Sequence, residues 1–76
     1  MKSNKKLSEL ATGECARISA LNLAGSMRRR LLDIGMSPGT AVRCVGQSPF
    51  KDPKVYLVRG CAVAIRGKDA DRVIIE

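Results

Sequence analysis

Residues 24–39 of this 76-residue chain, AGSMRRRLLDIGMSPG, decide its fold. Apolar side chains recur three or four residues apart along the first part of this stretch, at Met27, Leu31 and Ile34. That spacing places them on one face of a helix, so we predict a helix over residues 24–34 that packs against a core. Asn22 or Ser26 is expected to cap its first turn.

A sharp stop follows the predicted helix. Gly35 can adopt the positive φ that commonly ends a helix. Pro38–Gly39 then fits the two central positions of a type II turn. The chain is therefore expected to reverse direction after the helix and to enter a strand.

Alternating apolar and polar residues predict short strands on both sides of the helix. These strands cover residues 14–21, 40–46, 54–58, 62–66 and 73–75. A tight turn at Arg59–Gly60 joins two of them into a hairpin, and residues 67–71 are expected to form one helical turn. Five strands with one helix inserted after the first predict a mainly β fold, closed as a small barrel. Residues 1–6 are expected to be a flexible lead-in, which leaves residues 7–76 as the domain.

The composition argues against catalysis. The chain has no His and no Trp, so it lacks the usual general base near neutral pH and the commonest zinc ligand. Its seven acidic residues are scattered, and it carries none of the glycine-rich phosphate-binding motifs. We therefore expect no catalytic residues, no metal ligands and no cofactor.

The N-terminal sequence and the cysteines indicate a cytosolic protein. MKSNKK leads into LSEL without the apolar stretch of a secretory signal, and no apolar run approaches the roughly 18 residues of a membrane span. Cys15, Cys44 and Cys61 are spaced too widely for a metal-binding pair and are expected to be small hydrophobes within strands. A thiolate metal site would need all three to converge with a fourth ligand.

The positive charge is concentrated in two places. The chain has 14 basic and 7 acidic residues, a net charge of +7. Three Lys lie in the lead-in and three Arg form the triplet Arg28–Arg30, so the rest of the chain carries only +1. The triplet is either a solvated helix face or a contact for an acidic partner or anionic lipid. An RNA-binding face would interleave aromatic residues, and the chain has only Phe50 and Tyr56.

Three apolar residues lie outside the predicted helix stripe. Leu32 and Met36 either fill the gap between helix and barrel or line an apolar groove for a partner. Phe50, between two prolines, either covers one end of the barrel or contacts a partner.

Three segments of the chain together resemble the FeoA family, whose members are small cytosolic accessory proteins of bacterial ferrous iron uptake. They are residues 28–40 (RRRLLDIGMSPGT), 48–53 (SPFKDP) and 58–75 (VRGCAVAIRGKDADRVII). The resemblance implies an SH3-like β-barrel with the helix after its first strand. It also implies a partner rather than a reaction: FeoB, a membrane permease with a cytosolic GTP-binding domain.

The sequence thus predicts a non-catalytic cytoplasmic protein that docks on FeoB, modulates ferrous iron transport and reaches the inner membrane only through that partner. The expected contact surface comprises Arg28, Arg29, Leu32, Met36 and Phe50. Nucleic acid is not an expected partner, and exposed sheet edges leave weak self-association open. Two alternatives remain: an iron carrier that uses cysteine thiolates, and a small basic barrel that binds RNA.

Overall fold

The computed structural model describes residues 5–50 and 52–76. Within them the chain forms six strands, two α-helices and a short 3-10 helix at Leu7–Glu9. The strands are β1 Lys5–Lys6, β2 Cys15–Leu21, β3 Ala41–Gln47, β4 Lys54–Val58, β5 Cys61–Ile65 and β6 Val73–Ile75. The helices are α1 Gly25–Asp33, which follows β2, and α2 Gly67–Ala70, which precedes β6. The predicted mainly β fold with one principal helix is confirmed.

All neighbouring strands are antiparallel, in the order β1-β6-β2-β3-β4-β5. The sixth strand, which the sequence did not predict, is β1, where Lys5 and Lys6 lie opposite Ile75 and Ile74. The lead-in predicted for residues 1–6 is therefore wrong at its last two residues, and residues 1–4 lie outside the described part of the chain. Strand pairing in the described residues leaves β1 and β5 as two edges, so it does not close the predicted barrel.

The apolar face predicted for α1 is confirmed. Leu31 is fully buried, and Met27 and Ile34 pack against the core. The predicted cap is wrong: the residue before the helix is Ala24, which makes no side-chain capping bond. Asn22 lies two residues before the cap position, where its backbone N–H donates to Arg72 O at 2.7 Å, and Ser26 lies inside the helix, so neither predicted residue is the cap.

Two predicted turns have the expected geometry. Gly35 ends α1 with φ +95°, and the Thr40 N–H donates to Ser37 O at 3.0 Å across the type II turn, with Gly39 at φ +92°. Arg59 and Gly60 both have positive φ, as a two-residue type I′ hairpin turn requires.

The core is apolar and extends to the N-terminal segment. Fourteen residues form it: Leu7, Leu10, Ile18, Leu23, Leu31, Met36, Val42, Cys44, Tyr56, Val58, Ile65, Ala70, Val73 and Ile75. Leu7 and Leu10 are held in place from β4, because the Lys54 ammonium donates to Ser8 O at 2.7 Å and to Leu10 O at 3.1 Å. The sheet and its lysine thus fix the 3-10 helix over the core.

Tyr56 is the largest fully buried side chain. Its hydroxyl donates to Leu7 O at 3.3 Å. Burial, and to a smaller degree electrostatic interactions with Cys44, Asp52 and Asp71, raise the pKa of Tyr56 from 10.0 to about 12. The phenol therefore stays protonated and keeps its hydrogen bond at any ordinary pH.

Candidate functional site

The outer side of α1 carries a shallow groove of about 390 Å³. Its lining residues are Gly25, Arg28, Arg29, Leu32 and Asp33. Arg28 and Arg29 are exposed and Leu32 is half-buried. Three of the five residues predicted to contact a partner are thus brought together on one face.

The groove is basic at the N-terminal end of the helix. The first turn of α1 contains no acidic residue, so nothing there offsets the partial positive charge of the helix N-terminus. Arg28 and Arg29 add two full charges, while Leu32 supplies apolar surface between them and Asp33. This arrangement can accept a carboxylate-bearing segment that also places an apolar side chain against Leu32.

Met36 does not belong to this surface. Its side chain has no solvent exposure and lies in the core cluster. The positive φ of Gly35 turns the chain inward after α1, and the Met36 N–H bonds Leu31 O at 2.9 Å. The contact role predicted for Met36 is therefore wrong. The alternative prediction, that Met36 fills the gap between helix and sheet, is correct.

Phe50 projects from the β3–β4 loop and is 90% exposed. A ring this exposed does not cover the core, so the idea that it closes one end of the fold is wrong. The loop beneath it is braced: the Ser48 hydroxyl donates to Asp52 O at 2.6 Å, and the Asp52 N–H donates back to that hydroxyl at 3.1 Å. The Gly67 N–H donates to the Asp52 carboxylate at 2.6 Å and so ties the loop to α2.

A second groove was not predicted from the sequence. Residues from two distant parts of the chain line it: Leu23, Ala24, Met27, Lys68, Asp69 and Arg72. The start of α1 and the region of α2 are about forty residues apart in sequence, so only the tertiary fold brings them together. No local pattern could have indicated this groove.

The three cysteines do not converge. Cys15 lies opposite Arg43, Cys44 lies opposite Tyr56, and Cys61 lies opposite Val58. Cys44 is buried, whereas Cys15 and Cys61 are exposed, so only one of the three is the core residue that was expected. Nowhere in residues 5–50 and 52–76 do three or more Cys, Asp or Glu residues come together as a metal site. The thiolate carrier gains no support from this arrangement.

An RNA-binding surface gains no support either. Stacking on bases needs exposed aromatic rings, and Tyr56 is fully buried. Phe50 is the one aromatic ring left on the surface. The exposed arginines of α1 are therefore not interleaved with stacking groups.

The described residues thus form a small, mainly β domain with a basic groove on α1 and an exposed aromatic ring on the β3–β4 loop. The FeoA domain family matches residues 5–76, nearly the whole chain. This chain belongs to the FeoA domain family, as its sequence predicted. No helix among the described residues is long and apolar enough to cross a membrane.

Similar proteins extend this finding. The chain is 34% identical over 71 residues to the Fe(2+) transport protein A/Fe(2+) transporter FeoB fusion protein of Porphyromonas gingivalis. The matched segment covers 93% of this chain but only 8% of that protein. The FeoA protein of Chlorobium tepidum is 28% identical with a TM-score of 0.90, over 95% of this chain and 69% of that one. Stenotrophomonas maltophilia FeoA, solved with zinc and described as a prokaryotic SH3 domain protein, is 29% identical with a TM-score of 0.82, over 95% and 89% of the two chains.

Proposed function

We propose that this chain is a non-catalytic accessory protein of ferrous iron uptake, which docks on the cytosolic side of FeoB and modulates transport. The observation that carries the proposal is the Porphyromonas gingivalis relative, in which a segment similar to this chain and FeoB are one polypeptide. Two domains joined covalently in one species commonly associate when they are separate chains in another. On this reading the protein is cytoplasmic and reaches the inner membrane through FeoB alone.

The α1 groove is the surface that best suits this docking. Arg28 and Arg29 would contact carboxylates of FeoB, and Leu32 would receive an apolar side chain. Phe50 provides a second contact, because a ring on a braced loop loses little conformational entropy when it enters a pocket of the partner. Weak self-association and nucleic-acid binding have no part in this proposal.

The test is a binding experiment with full-length FeoB in lipid nanodiscs, with and without a GTP analogue. We expect Arg29→Glu to weaken binding about tenfold or more, because an attractive charge contact becomes repulsive. Arg43→Glu is the matched control, since Arg43 is also exposed but lies on β3. Phe50→Ala tests the loop separately.

Equal binding by wild type, Arg29→Glu and Arg43→Glu would refute the α1 groove as the docking surface. No binding by the wild-type chain to FeoB, in either nucleotide state, would refute the proposed function itself. An NMR titration of the labelled chain with the cytosolic domain of FeoB then identifies which residues of α1 shift.

A further inference from the structure

Strand β5 forms an unprotected edge of the sheet. It pairs with β4 and with no other strand in the described part of the chain. Its sequence, CAVAI, contains no charge, no proline and no glycine. Charges and prolines are features by which proteins usually keep an edge strand from pairing with another chain. Their absence here makes β5 competent to accept an additional strand.

The hairpin register shows which backbone groups are free. A two-residue type I′ turn makes Val58 and Cys61 a hydrogen-bonded pair, and such pairs alternate along the ladder. Ala62 and Ala64 are therefore in the non-bonded positions and direct their N–H and C=O groups away from β4. Both are exposed, and neither bonds any other backbone segment described in the structure. Four backbone groups along β5 are thus available to an incoming strand.

The side chains beside this edge are apolar and small. On the outer face Ala62 lies opposite Leu57, and Ala64 lies opposite Val55. Leu57 is 37% exposed on this face. The alanines leave space above the sheet, so aliphatic side chains of an added strand would pack against Ala62, Ala64 and Leu57.

Positively charged residues flank the β5 edge at both ends. Arg59 precedes β5 and Arg66 follows it, and both are exposed. The Arg59 side chain lies across Gly35, where its Cδ is 2.5 Å from the position that a Cβ would take. Arg66 keeps extended backbone, with φ −69° and ψ 150°, so it continues the line of the strand.

This charge pattern argues against a second copy of the chain as the occupant. In an antiparallel pair of β5 strands centred on Val63, Arg66 of each copy would lie beside Gly60 and Arg59 of the other. Like charges placed across two strands are destabilising, and each copy also carries a net charge of +7. A strand with carboxylates at its ends meets no such repulsion.

We propose that the β5 edge binds, by strand addition, an extended segment of another protein with aliphatic residues at its centre and acidic residues at both ends. The main-chain bonds go to Ala62 and Ala64, and the carboxylates contact Arg59 and Arg66. This surface shares no residue with the lining of the α1 groove, so the inference does not rest on docking on FeoB.

The test uses a terminally capped peptide of alternating Val and Thr with Asp and Glu at both ends, titrated into the labelled full chain. At about 1 mM peptide, an interaction as weak as a Kd of about 1 mM occupies half of the sites. We expect chemical shift changes centred on Ala62 and Ala64. Amide hydrogen exchange at both residues should slow about twofold at this occupancy, because half of the molecules remain free, and should slow further at higher peptide concentration. Arg66→Glu should weaken binding about fivefold or more at low salt, and Arg28→Glu, on α1, should leave it within twofold.

Two further peptides serve as controls. A peptide with N-methylated central residues, which cannot form the ladder, should produce no protection of Ala62 and Ala64. A peptide with Lys ends should bind much more weakly than the acidic one. Absence of shifts at Ala62 and Ala64 with the acidic peptide, or equal binding of acidic and basic peptides, would overturn the proposal. Concentration-dependent protection of these two amides without peptide would also overturn it, because a second copy would then be the occupant.

Discussion

The Asp52 carboxylate accepts a 2.6 Å hydrogen bond from the Gly67 N–H and so joins the loop that carries Phe50 to the start of α2. The two residues are 15 positions apart, and the bond closes the segment that contains β4 and β5. The most exposed large apolar side chain of the described residues therefore stands on a fixed base. A ring on such a base is already positioned for contact with a partner.

Loss of this bond is expected to loosen the loop. Asp52→Ala leaves the Gly67 N–H without its charged acceptor, and hydrogen bonds to charged groups contribute about 1.5–3 kcal/mol. Because the site is exposed and water can replace the acceptor, we expect the free energy of unfolding to fall by about 1 kcal/mol. Urea unfolding measures this, and Asp52→Asn, which keeps an acceptor oxygen, should recover at least half. Equal losses in both variants would contradict this role for Asp52.

Gly35 and Arg59 provide a second prediction. Gly35→Ala is expected to cost slightly more than the usual penalty of a positive φ, about 1 kcal/mol, because the exposed Arg59 side chain must also move aside for the new methyl group. Gly13→Ala is the matched control: Gly13 has φ +93°, close to the +95° of Gly35, and an added Cβ there meets nothing within 4 Å. Thermal unfolding should show the larger loss for Gly35→Ala.

A double-mutant cycle separates the two causes. Arg59→Ala removes the side chain that the methyl group meets, so Gly35→Ala in that background should cost no more than Gly13→Ala. An unchanged cost would mean that backbone strain alone explains the effect.

The raised pKa of Tyr56 predicts that the protein loses stability at alkaline pH. Its pKa is about 12 in the folded protein and 10.0 when unperturbed, so its contribution is complete below pH 10. As pH rises from 10 towards 12 the unfolded chain ionises first, and the free energy of unfolding falls by about 1.4 kcal/mol per pH unit. Above the folded pKa this contribution is lost. Tyr56→Phe should lack this component of the pH dependence, which urea unfolding at a series of pH values tests. Parallel curves for the two proteins would contradict it.

Substitution of Arg28 is expected to change stability and docking in opposite directions. Arg28→Glu places a carboxylate near the uncompensated N-terminal end of α1, so we expect the free energy of unfolding to rise by about 0.5 kcal/mol. The same change should weaken binding to FeoB if the α1 groove is the docking surface. Arg43→Glu, remote from the helix end, should raise stability by less. A fall in thermal stability for Arg28→Glu would contradict the electrostatic account of α1.

The cysteines should differ in reactivity. Cys15 and Cys61 are exposed and should react with an aromatic disulfide reagent in the folded protein, whereas Cys44 should react only after unfolding. Counting released thiolate before and after addition of denaturant measures both classes. Reaction of all three thiols at once under native conditions would contradict the burial of Cys44.

Local sequence was sufficient for the features that depend on near neighbours. The buried face of α1 follows from the helical spacing of Met27, Leu31 and Ile34. The type II turn follows from Pro38–Gly39, and Gly60 indicates the hairpin turn, whereas the positive φ of Arg59 could not be predicted from an arginine. Each of these depends on residues a few positions apart, which is the range that periodicity and turn chemistry can describe.

Features that depend on distant pairing could not be predicted in this way. Strand β1 is two lysines long and forms only because β6 lies beside it. The second groove joins two segments that are about forty residues apart in the chain. The exposure of Cys15, by contrast, was available from the sequence: it shares its side of β2 with Arg17 and Ser19, while Ala16 and Ile18 face inward. Cys61 follows the inward alternation of Val63 and Ile65, but its position next to the hairpin turn leaves it at the exposed end of the sheet.

The pairing of β1 with β6 has a consequence for how this domain can be attached to other polypeptides. Lys5 lies opposite Ile75, so the first residue of β1 and the last residue of β6 are neighbours at one end of an antiparallel pair. The domain should therefore tolerate circular permutation, with a short linker joining its ends and new termini at an exposed turn such as Gly13. A tether at either terminus would emerge beside the same strand pair, at the opposite end of the strand order from β5.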